Sequence, residues 1–297
     1  MFLKGLRSDR LLRGESMAEH TSFRAGGPAD WYYMPQTASD VADAVRAAND
    51  CGMPWYFLGA GTNVIVPDSG IRGLVISFQE GFGGIEREGA AIRCDAGVRL
   101  SRLAQCALEG SLTGLEFASG IPGTVGGGTA MNAGAYGGQL SDCLESAVLL
   151  IGEKVEEVGV RDMAMGYRTS LPKEKGCAVL GATFRLAAGS SEEIAEKMRS
   201  LNRSRREKQP LEYPSAGSVF KRPEGYFAGA LIEQAGLKGT MIGGACVSEK
   251  HAGFIVNKDG ASGNDILKLI RLVQDRVFEH SGVRLEREVC VFGGEEI

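Results

Sequence analysis

The chain has 297 residues, 43% hydrophobic and 24% charged, with a formal net charge of −4. That length accommodates two or three domains, and the composition excludes disordered and fibrous classes. A net-acidic balance argues against a general nucleic-acid binder, because backbone phosphates attract basic surfaces.

In chain order, the opening MFLKGLRSDRLLRG is broken by Lys4, Arg7, Asp9 and Arg10; it has no apolar core long enough for a signal peptide. A helix is predicted near 39–50. Thr37 and Asp40 form a capping-box pattern, Val41, Ala44, Val45 and Ala48 follow at helical spacing, and Gly52 stops it. Pro54–Leu58 reads as a strand that turns at GAGTN (59–63), resumes at Val64–Val66 and returns at Leu74–Ser77. Ile85–Ala96 reads as a hairpin turning near Glu88-Gly89, and 99–109 as an amphipathic helix ended by Gly110. Residues 114–138 carry so many glycines that no regular helix or strand is expected. Strands are expected at 145–151 and 177–187. A polar helix follows at 191–208, ending at Gln209-Pro210, a candidate domain boundary. The last third reads as a loop at 213–224, a helix at 225–235, a strand at Gly253–Asn257, a helix at 264–280 and a strand at Val283–Phe292. Strands and helices do not alternate one for one through the first 190 residues, so α+β is favoured over a doubly wound sheet. No apolar run approaches 18 residues, so no membrane span is expected.

The surplus residue is glycine: 43 of them beside only 9 prolines, about twice the usual share of roughly 7%. Such an excess points to backbone that bends sharply or approaches a ligand closely. In the first cluster, Leu58-Gly59-Ala60-Gly61-Thr62-Asn63, a dinucleotide fingerprint would need glycine at 64, where Val stands. The loop is compatible with a tight turn and with an anion-binding nest. The second cluster runs from Gly120 to Gly128 with Asn132, Gly134, Gly137 and Gly138 behind it, and no Gly-Lys-Ser/Thr follows. It suits a pyrophosphate held by main-chain N–H groups, and equally suits closely packed loops. Seven scattered cysteines without a CxxC pair read as reduced thiols of a cytoplasmic protein. There is no GxSxG, HExxH or paired-cysteine metal site, so hydrolase and zinc chemistry have little support and no metal is expected. Taken alone, Ser218 is a turn serine and His251 a satisfied structural histidine. The Arg199–Lys208 charge run shares its helix with Glu192, Glu193, Glu196 and Glu207 and reads as a solvated face, from which Arg205 and Arg206 could still reach a diphosphate.

Eight segments in order carry a resemblance that covers the chain from Thr21 nearly to its end. They are Thr21–Pro28 (TSFRAGGP), Leu58–Val66 (LGAGTNVIV), Gly114–Gly138, Tyr167–Ser170 (YRTS), Ala216–Pro223 (AGSVFKRP), Ala235–Gly239 (AGLKG), Val247–Asn257 (VSEKHAGFIVN) and Leu285–Val289 (LEREV). Together they resemble the bacterial UDP-N-acetylenolpyruvoylglucosamine reductase (MurB) family. The resemblance implies an α+β chain of three domains. Residues 1–72 and 73–190 would form a vanillyl-alcohol-oxidase-type FAD-binding module. Residues 191–297 would bind substrate, with Glu288 on the C-terminal strand.

It further implies NADPH-dependent, FAD-mediated reduction of UDP-N-acetylglucosamine enolpyruvate to UDP-N-acetylmuramate in peptidoglycan synthesis, in the cytoplasm, with no nucleic-acid partner. Non-covalent FAD would lie along Gly59, Ala60, Gly61, Thr62, Asn63, Gly120, Gly123, Thr124, Gly126, Gly127, Asn132 and Gly134. Arg168 and Glu288 would flank the substrate carboxylate, and Ser218 would give the proton to C2. Glu288 could help only if protonated or holding a proton-bearing partner, so burial should raise its pKa. Lys221 could pair with the substrate diphosphate or carboxylate, and Tyr213 and Arg222 are candidates for the uridine-nucleotide path. Between Arg168 and Ser218 the only tyrosine is Tyr213, which implies the shorter subclass without an extra tyrosine-bearing loop. Thr62 replaces the more usual Ser, Gly128 the more usual Ala, and Arg222 stands where some members have Asn. An oxidase of the same fold and a non-catalytic nucleotide-sugar binder are the rival readings. The three histidines lie outside both glycine clusters, against a histidine-tethered flavin.

With no GxGxxG in the chain, NADPH would enter the substrate cleft and leave before substrate binds. NADPH at high concentration should then inhibit competitively against the enolpyruvyl substrate in steady-state kinetics; a sequential pattern with a ternary complex would contradict this.

Overall fold

The computed structural model describes residues 5–294. Its seven α-helices among the described residues are α1 (Ala38–Asp50), α2 (Leu100–Glu109), α3 (Val125–Ala130), α4 (Leu171–Lys175), α5 (Ser191–Lys208), α6 (Ala228–Gln234) and α7 (Gly263–Ser281). The chain folds into two compact units. One runs to Leu11 and takes in Tyr33–Ala60 and Val75–Arg205; the other gathers Leu12–Tyr32, Gly61–Leu74 and the chain from Arg206 onward. Helices and mostly antiparallel strands make the fold α+β.

The first unit is built on a five-stranded antiparallel sheet in the order Lys154–Gly159, Leu144–Ile151, Ala178–Arg185, Ala91–Asp95, Ile85–Glu88. The expected hairpin is present, with Glu88 opposite Ala91. The apolar face of α2, Leu100, Leu103, Ala104 and Ala107, is buried with Ile92, Leu149, Phe184 and α5 residues Ile194 and Met198. Burying the leucine, isoleucine, phenylalanine and methionine side chains contributes about 1.5–3 kcal/mol each. Cys143 lies in this core, where burial pushes its thiol up to about 12, well away from reactivity at neutral pH.

The second unit has a four-stranded antiparallel sheet, Ser215–Ser218, Phe254–Asn257, Ala245–Val247, Met241–Ile242. The stripe Ile266, Ile270, Val273, Val277 of α7 is buried in one core with Val247 and Ile255 of this sheet. Ser262 caps α7, accepting from Asp265 N while Asp265 answers at the cap amide. Cys290–Val291 pairs in parallel with Val64–Ile65, which seats the end of the described chain beside the first glycine loop.

The expected irregularity of 114–138 does not hold throughout. Glu116–Gly120 forms a 3₁₀ turn, and α3 runs through Gly126-Gly127-Gly128. Three glycines cost a helix about 1 kcal/mol each, and tertiary hydrogen bonds offset this. Val125 N donates to Val98 O and Gly126 N to Ala96 O, both at 2.8 Å. Residues 213–224, expected as a loop, contain the strand Ser215–Ser218, because Phe254–Asn257 pairs with it. Val283–Phe292, expected as one strand, is ladder only at Cys290–Val291. Strands Leu11–Ser16, Pro28–Tyr33 and Lys154–Gly159 and helix α4 were not signalled by the sequence pattern.

The capping box of α1 is complete: Thr37 Oγ1 accepts from Asp40 N at 3.1 Å, and Asp40 Oδ2 accepts from Thr37 N at 3.1 Å. Thr37→Ala should lower folding stability by about 1 kcal/mol, read as a shift of the urea midpoint at unchanged slope.

Candidate active site

In the first unit Gly59 of the first glycine cluster meets the second cluster. A Cβ on Gly59 would lie 2.6 Å from Thr124 Oγ1 and 3.9 Å from Gly127 Cα. The second cluster is stitched to the entry of α2. Leu100 N donates to Gly123 O, and the Val125 and Gly126 amides are taken by Val98 O and Ala96 O. Thr124 caps α3 by accepting from Gly127 N. Gly126 is a packing glycine, because its Cβ would meet Ala96 Cβ at 2.8 Å. Gly120 is one too: its Cβ would lie 2.4 Å from Asn202 Oδ1 and 3.2 Å from Arg205 Cδ. Burial pulls the Arg205 guanidinium below its ordinary range, with the Tyr136 phenol opposing.

Gly127 differs. It is exposed, it is helical, and a Cβ there would meet only Thr124 Oγ1 at 3.6 Å. Packing does not require glycine at this position, whereas close approach of a ligand to the backbone would. The amides of Ala60 and Thr124 find no acceptor among the described residues. In the second unit the same holds for the amides of Gly61 and Asn63. Gly61 has φ +65°, and its Cβ would collide with His20 O. Within the first unit, the unused Ala60 and Thr124 amides and a helical glycine with room around it fit a pyrophosphate-bearing cofactor.

Arg168 is also in the first unit, on a tight turn closed by Gly166 N to Thr169 O at 3.0 Å. Its φ is +58°, a position usually given to glycine or asparagine. The guanidinium donates to Gly134 O at 2.9 Å and Asn132 O at 3.5 Å and lies 5.0 Å over the exposed Tyr167 ring. Asn132 holds this turn in place. Its amide donates to Gly166 O and Gln139 Oε1, and its Oδ1 accepts from Ser141 N. Ser170 Oγ adds a bond to Ala130 O at 2.6 Å. Asn132 therefore spends its polar side-chain atoms on protein partners, and Gly134 contributes its carbonyl to Arg168.

The second unit brings Ser218 and Glu288 onto adjacent chain segments. Ser215 faces Val256 and Ser218 faces Phe254, so Ala216 and Gly217 together oppose Ile255 in a bulge. Gly217 takes φ +78°. The extra residue re-aims the side chain after it. Ser218 Oγ is half-buried and makes only long contacts, 3.4 Å to Phe220 O and 3.5 Å to Gly253 O. A hydroxyl so weakly committed is available to another acceptor. Glu288 N donates to Val219 O at 2.8 Å, and Lys221 N to Glu286 O at 2.8 Å. On the other side, Asn63 Nδ2 donates to Glu288 O at 3.4 Å.

Lys221 is ion-paired with Glu286. Arg222 stacks 4.0 Å over the exposed Phe227 ring, and Tyr213 is exposed. Among the described residues there is no cluster of His, Cys, Asp or Glu that could hold a metal. Likewise, no helix among them is long and apolar enough to cross a membrane. His251, read from the sequence as a satisfied structural histidine, does have a backbone partner, Gly253 N, and lies against the serine strand. Its signal was the glycine two residues on, in His251-Ala252-Gly253.

The FAD binding domain model matches residues 29–153, and the model of the UDP-N-acetylenolpyruvoylglucosamine reductase C-terminal domain matches residues 209–292. The flavin-domain match and the glycine-lined backbone define the class: an FAD-containing oxidoreductase. UDP-N-acetylenolpyruvoylglucosamine reductase of Alkaliphilus oremlandii is 46% identical, over 98% of this chain and 96% of its own. That of Agathobacter rectalis is 49% identical, over 95% and 94%. The crystal structure of MurB from Thermus caldophilus superposes with a TM-score of 0.80 at 32% identity, covering 95% of this chain and 98% of that one. The chain belongs to the UDP-N-acetylenolpyruvoylglucosamine reductase family.

Two neighbouring glycines separate packing from ligand approach. Gly126→Ala should lower the stability of the cofactor-free protein. Gly127→Ala should raise it by about 0.5–1 kcal/mol yet weaken FAD binding about tenfold or more in a flavin-fluorescence titration. Unchanged FAD affinity in Gly127→Ala would remove the cofactor as the reason for that glycine.

Proposed function

We propose that Arg168, Ser218 and Glu288 carry the chemistry of this reductase. The reaction is the NADPH-dependent reduction of UDP-N-acetylglucosamine enolpyruvate to UDP-N-acetylmuramate in peptidoglycan synthesis. FAD, when bound, supplies the chemistry that passes a hydride from NADPH to C3 of the enol ether. The residues that would hold it are Gly59, Ala60, Gly61, Thr62 and Asn63 in the first loop. In the second cluster they are Gly123, Thr124 and Gly127, with Gly120, Gly126, Asn132 and Gly134 supporting that backbone.

Hydride arrival at C3 leaves negative charge at C2, delocalised into the substrate carboxylate. Two demands follow: charge stabilisation at the carboxylate and a proton at C2. A guanidinium meets the first directly and can bind both oxygens. Arg168 suits it because its guanidinium is anchored to the Gly134 and Asn132 carbonyls, which fix where the charge is presented. Glu288 serves the same carboxylate from a protonated state or through a proton-bearing partner. Ser218 meets the second demand. A serine hydroxyl is a weak acid, but the carbanion-like C2 is a strong base, and the O–H bond that breaks leaves its electron pair on Oγ while the new C2–H bond forms.

The bulge at Gly217 is the observation that carries this reading. It turns Ser218 out of the ladder register and leaves its hydroxyl loosely held beside the Glu288 segment. Lys221, Arg222 and Tyr213 are assigned to the nucleotide end of the substrate. We assign residues 1–72 and 73–190 to cofactor binding and 191–297 to substrate. The acidic net charge and the use of NADPH support a cytoplasmic enzyme of small molecules without a nucleic-acid partner.

The half-reactions test the assignment. Ser218→Ala should leave anaerobic bleaching of the flavin by NADPH within about twofold of the parent. It should slow the return of the flavin bands on adding the enolpyruvyl substrate by about 10²–10⁴-fold. Equal loss in both halves would make Ser218 a structural residue.

A further inference from the structure

The turn after Val247 is closed on itself and leans on the serine strand. Ser248 Oγ accepts from the amides of Lys250 and His251, each at 3.2 Å. Ser248 N donates to Phe254 O and Phe254 N to His251 O, both at 2.9 Å. Inside this turn, Gly253 N donates to His251 Nδ1 at 3.1 Å. The Gly253 carbonyl faces the serine strand: it accepts from Val219 N at 2.9 Å and is one of the two acceptors near Ser218 Oγ. Gly253 is thus held by an imidazole at its amide and holds the serine segment at its carbonyl.

A side chain at this position would press on both neighbours. A Cβ on Gly253 would lie 3.0 Å from His251 Cε1, 3.2 Å from His251 Nδ1 and 3.3 Å from Ser218 Oγ. The imidazole and the hydroxyl therefore flank one face of a single glycine.

The hydrogen bond fixes the state of the ring. Nδ1 accepts from an amide only when it carries no proton, so His251 is neutral with its proton on Nε2. An imidazolium would set an N–H donor against the Gly253 N–H. Burial lowers the pKa of His251 below the ordinary imidazole value of 6.5; a backbone hydrogen bond opposes this and the Lys238 ammonium adds to it. The ionisable groups around it are few. Lys238 is paired at 2.7 Å with Glu233 of α6, and the turn itself carries Glu249 and Lys250, the latter 3.8 Å from Glu212. Gly229 of α6, the Phe254 ring and the strand Ser215–Ser218 bring no ionisable side chain to the imidazole.

We propose that His251 is a positioning residue for proton delivery: neutral, it holds Gly253 so that Ser218 Oγ stays aimed, and protonated, it lets that segment go. The proposal rests on the assignment of Ser218 as the proton donor to C2.

The experiment measures flavin bleaching by NADPH and substrate-driven return of the flavin bands separately, across pH, in the FAD-loaded parent and in His251→Asn and His251→Leu. Asn offers Oδ1 near the place of Nδ1 and does not titrate. In the parent, the return rate should fall about tenfold per pH unit below a pKa that lies under 6.5. His251→Asn should keep the return rate within about threefold at neutral pH and lose the acid limb. His251→Leu should slow it about 10–100-fold at every pH, as loss of an orienting partner does. Bleaching by NADPH should move by less than about twofold in both.

An acid limb that persists in His251→Asn, a normal return rate in His251→Leu, or equal loss of both half-reactions in His251→Asn would overturn the proposal. Nitrogen-15 imidazole spectra of the parent give a reading independent of turnover: the Nε2–H tautomer is expected near pH 7.5, and an Nδ1–H tautomer overturns it. If Ser218→Ala returns the flavin bands at the parental rate, the donor assignment fails; if only the His251 results fail, that assignment stands.

Discussion

The backbone stitch between Ala96–Leu100 and Gly123–Gly126 is the constraint from which the glycine-rich unit is built. The amides of Leu100, Val125 and Gly126 find their acceptors across it. Because those acceptors come from elsewhere in the chain, α3 forms from a sequence with poor helix propensity, and the Thr124 hydroxyl closes its first turn. The stitch also decides which donors remain. The Gly126 and Gly127 amides are consumed by the protein, so an anion must be met by others, such as those of Ala60 and Thr124. At the far end of α3, Asn132 and Ala130 take over and tie down the turn that carries Arg168. A left-handed arginine is strained by about 1–3 kcal/mol, and this cluster of buried hydrogen bonds is what makes the strain tolerable.

The second unit solves a different problem by similar means. The proton donor proposed at Ser218 must be held in place without being engaged by a strong acceptor. The bulge at Gly217 supplies the aim, and long contacts to Phe220 O and Gly253 O leave the hydroxyl underused. The neighbouring segment is fixed firmly: Glu288 is bonded through its amide to Val219 and through its carbonyl to Asn63. The strong bonds are made by the backbone, and the side chain of the proposed donor is left weakly bound. That division follows from the energetics, because a hydroxyl already satisfied by a buried partner would lose that bond on turning to substrate.

How much of this was legible depends on how local each cause is. The caps of α1 and the end of α5 are written within a few residues, at Thr37-Asp40 and Gln209-Pro210, and the structure bears them out within a residue or two. The apolar face of α2 was equally plain from spacing, and α7 was expected within a residue of its ends. The triple-glycine helix was not, because its stabilising acceptors lie about thirty residues upstream at Ala96 and Val98. The strand at Ser215–Ser218 was not, because its partner lies at 254–257. At the site, residue types were legible through eight matched segments, but geometry was not. Nothing local says that Arg168 sits at positive φ, or that Asn132 spends its side chain on holding that turn.

His251 shows most sharply why function escapes a local reading. In sequence it is one of three histidines, with no partner at metal-ligand or catalytic spacing. Its meaning comes from a glycine two residues later, whose amide it accepts and whose carbonyl reaches the serine strand. Glycine does opposite things at Gly253 and Gly127. At Gly253 the missing side chain makes room for two of the protein's own groups, an imidazole and a hydroxyl. At Gly127 the space a side chain would take is open to solvent, and the protein itself has no use for it. The glycine surplus thus divides into residues that let the chain touch itself and residues that let something else touch the chain, and only the surroundings of each missing Cβ tell the two apart.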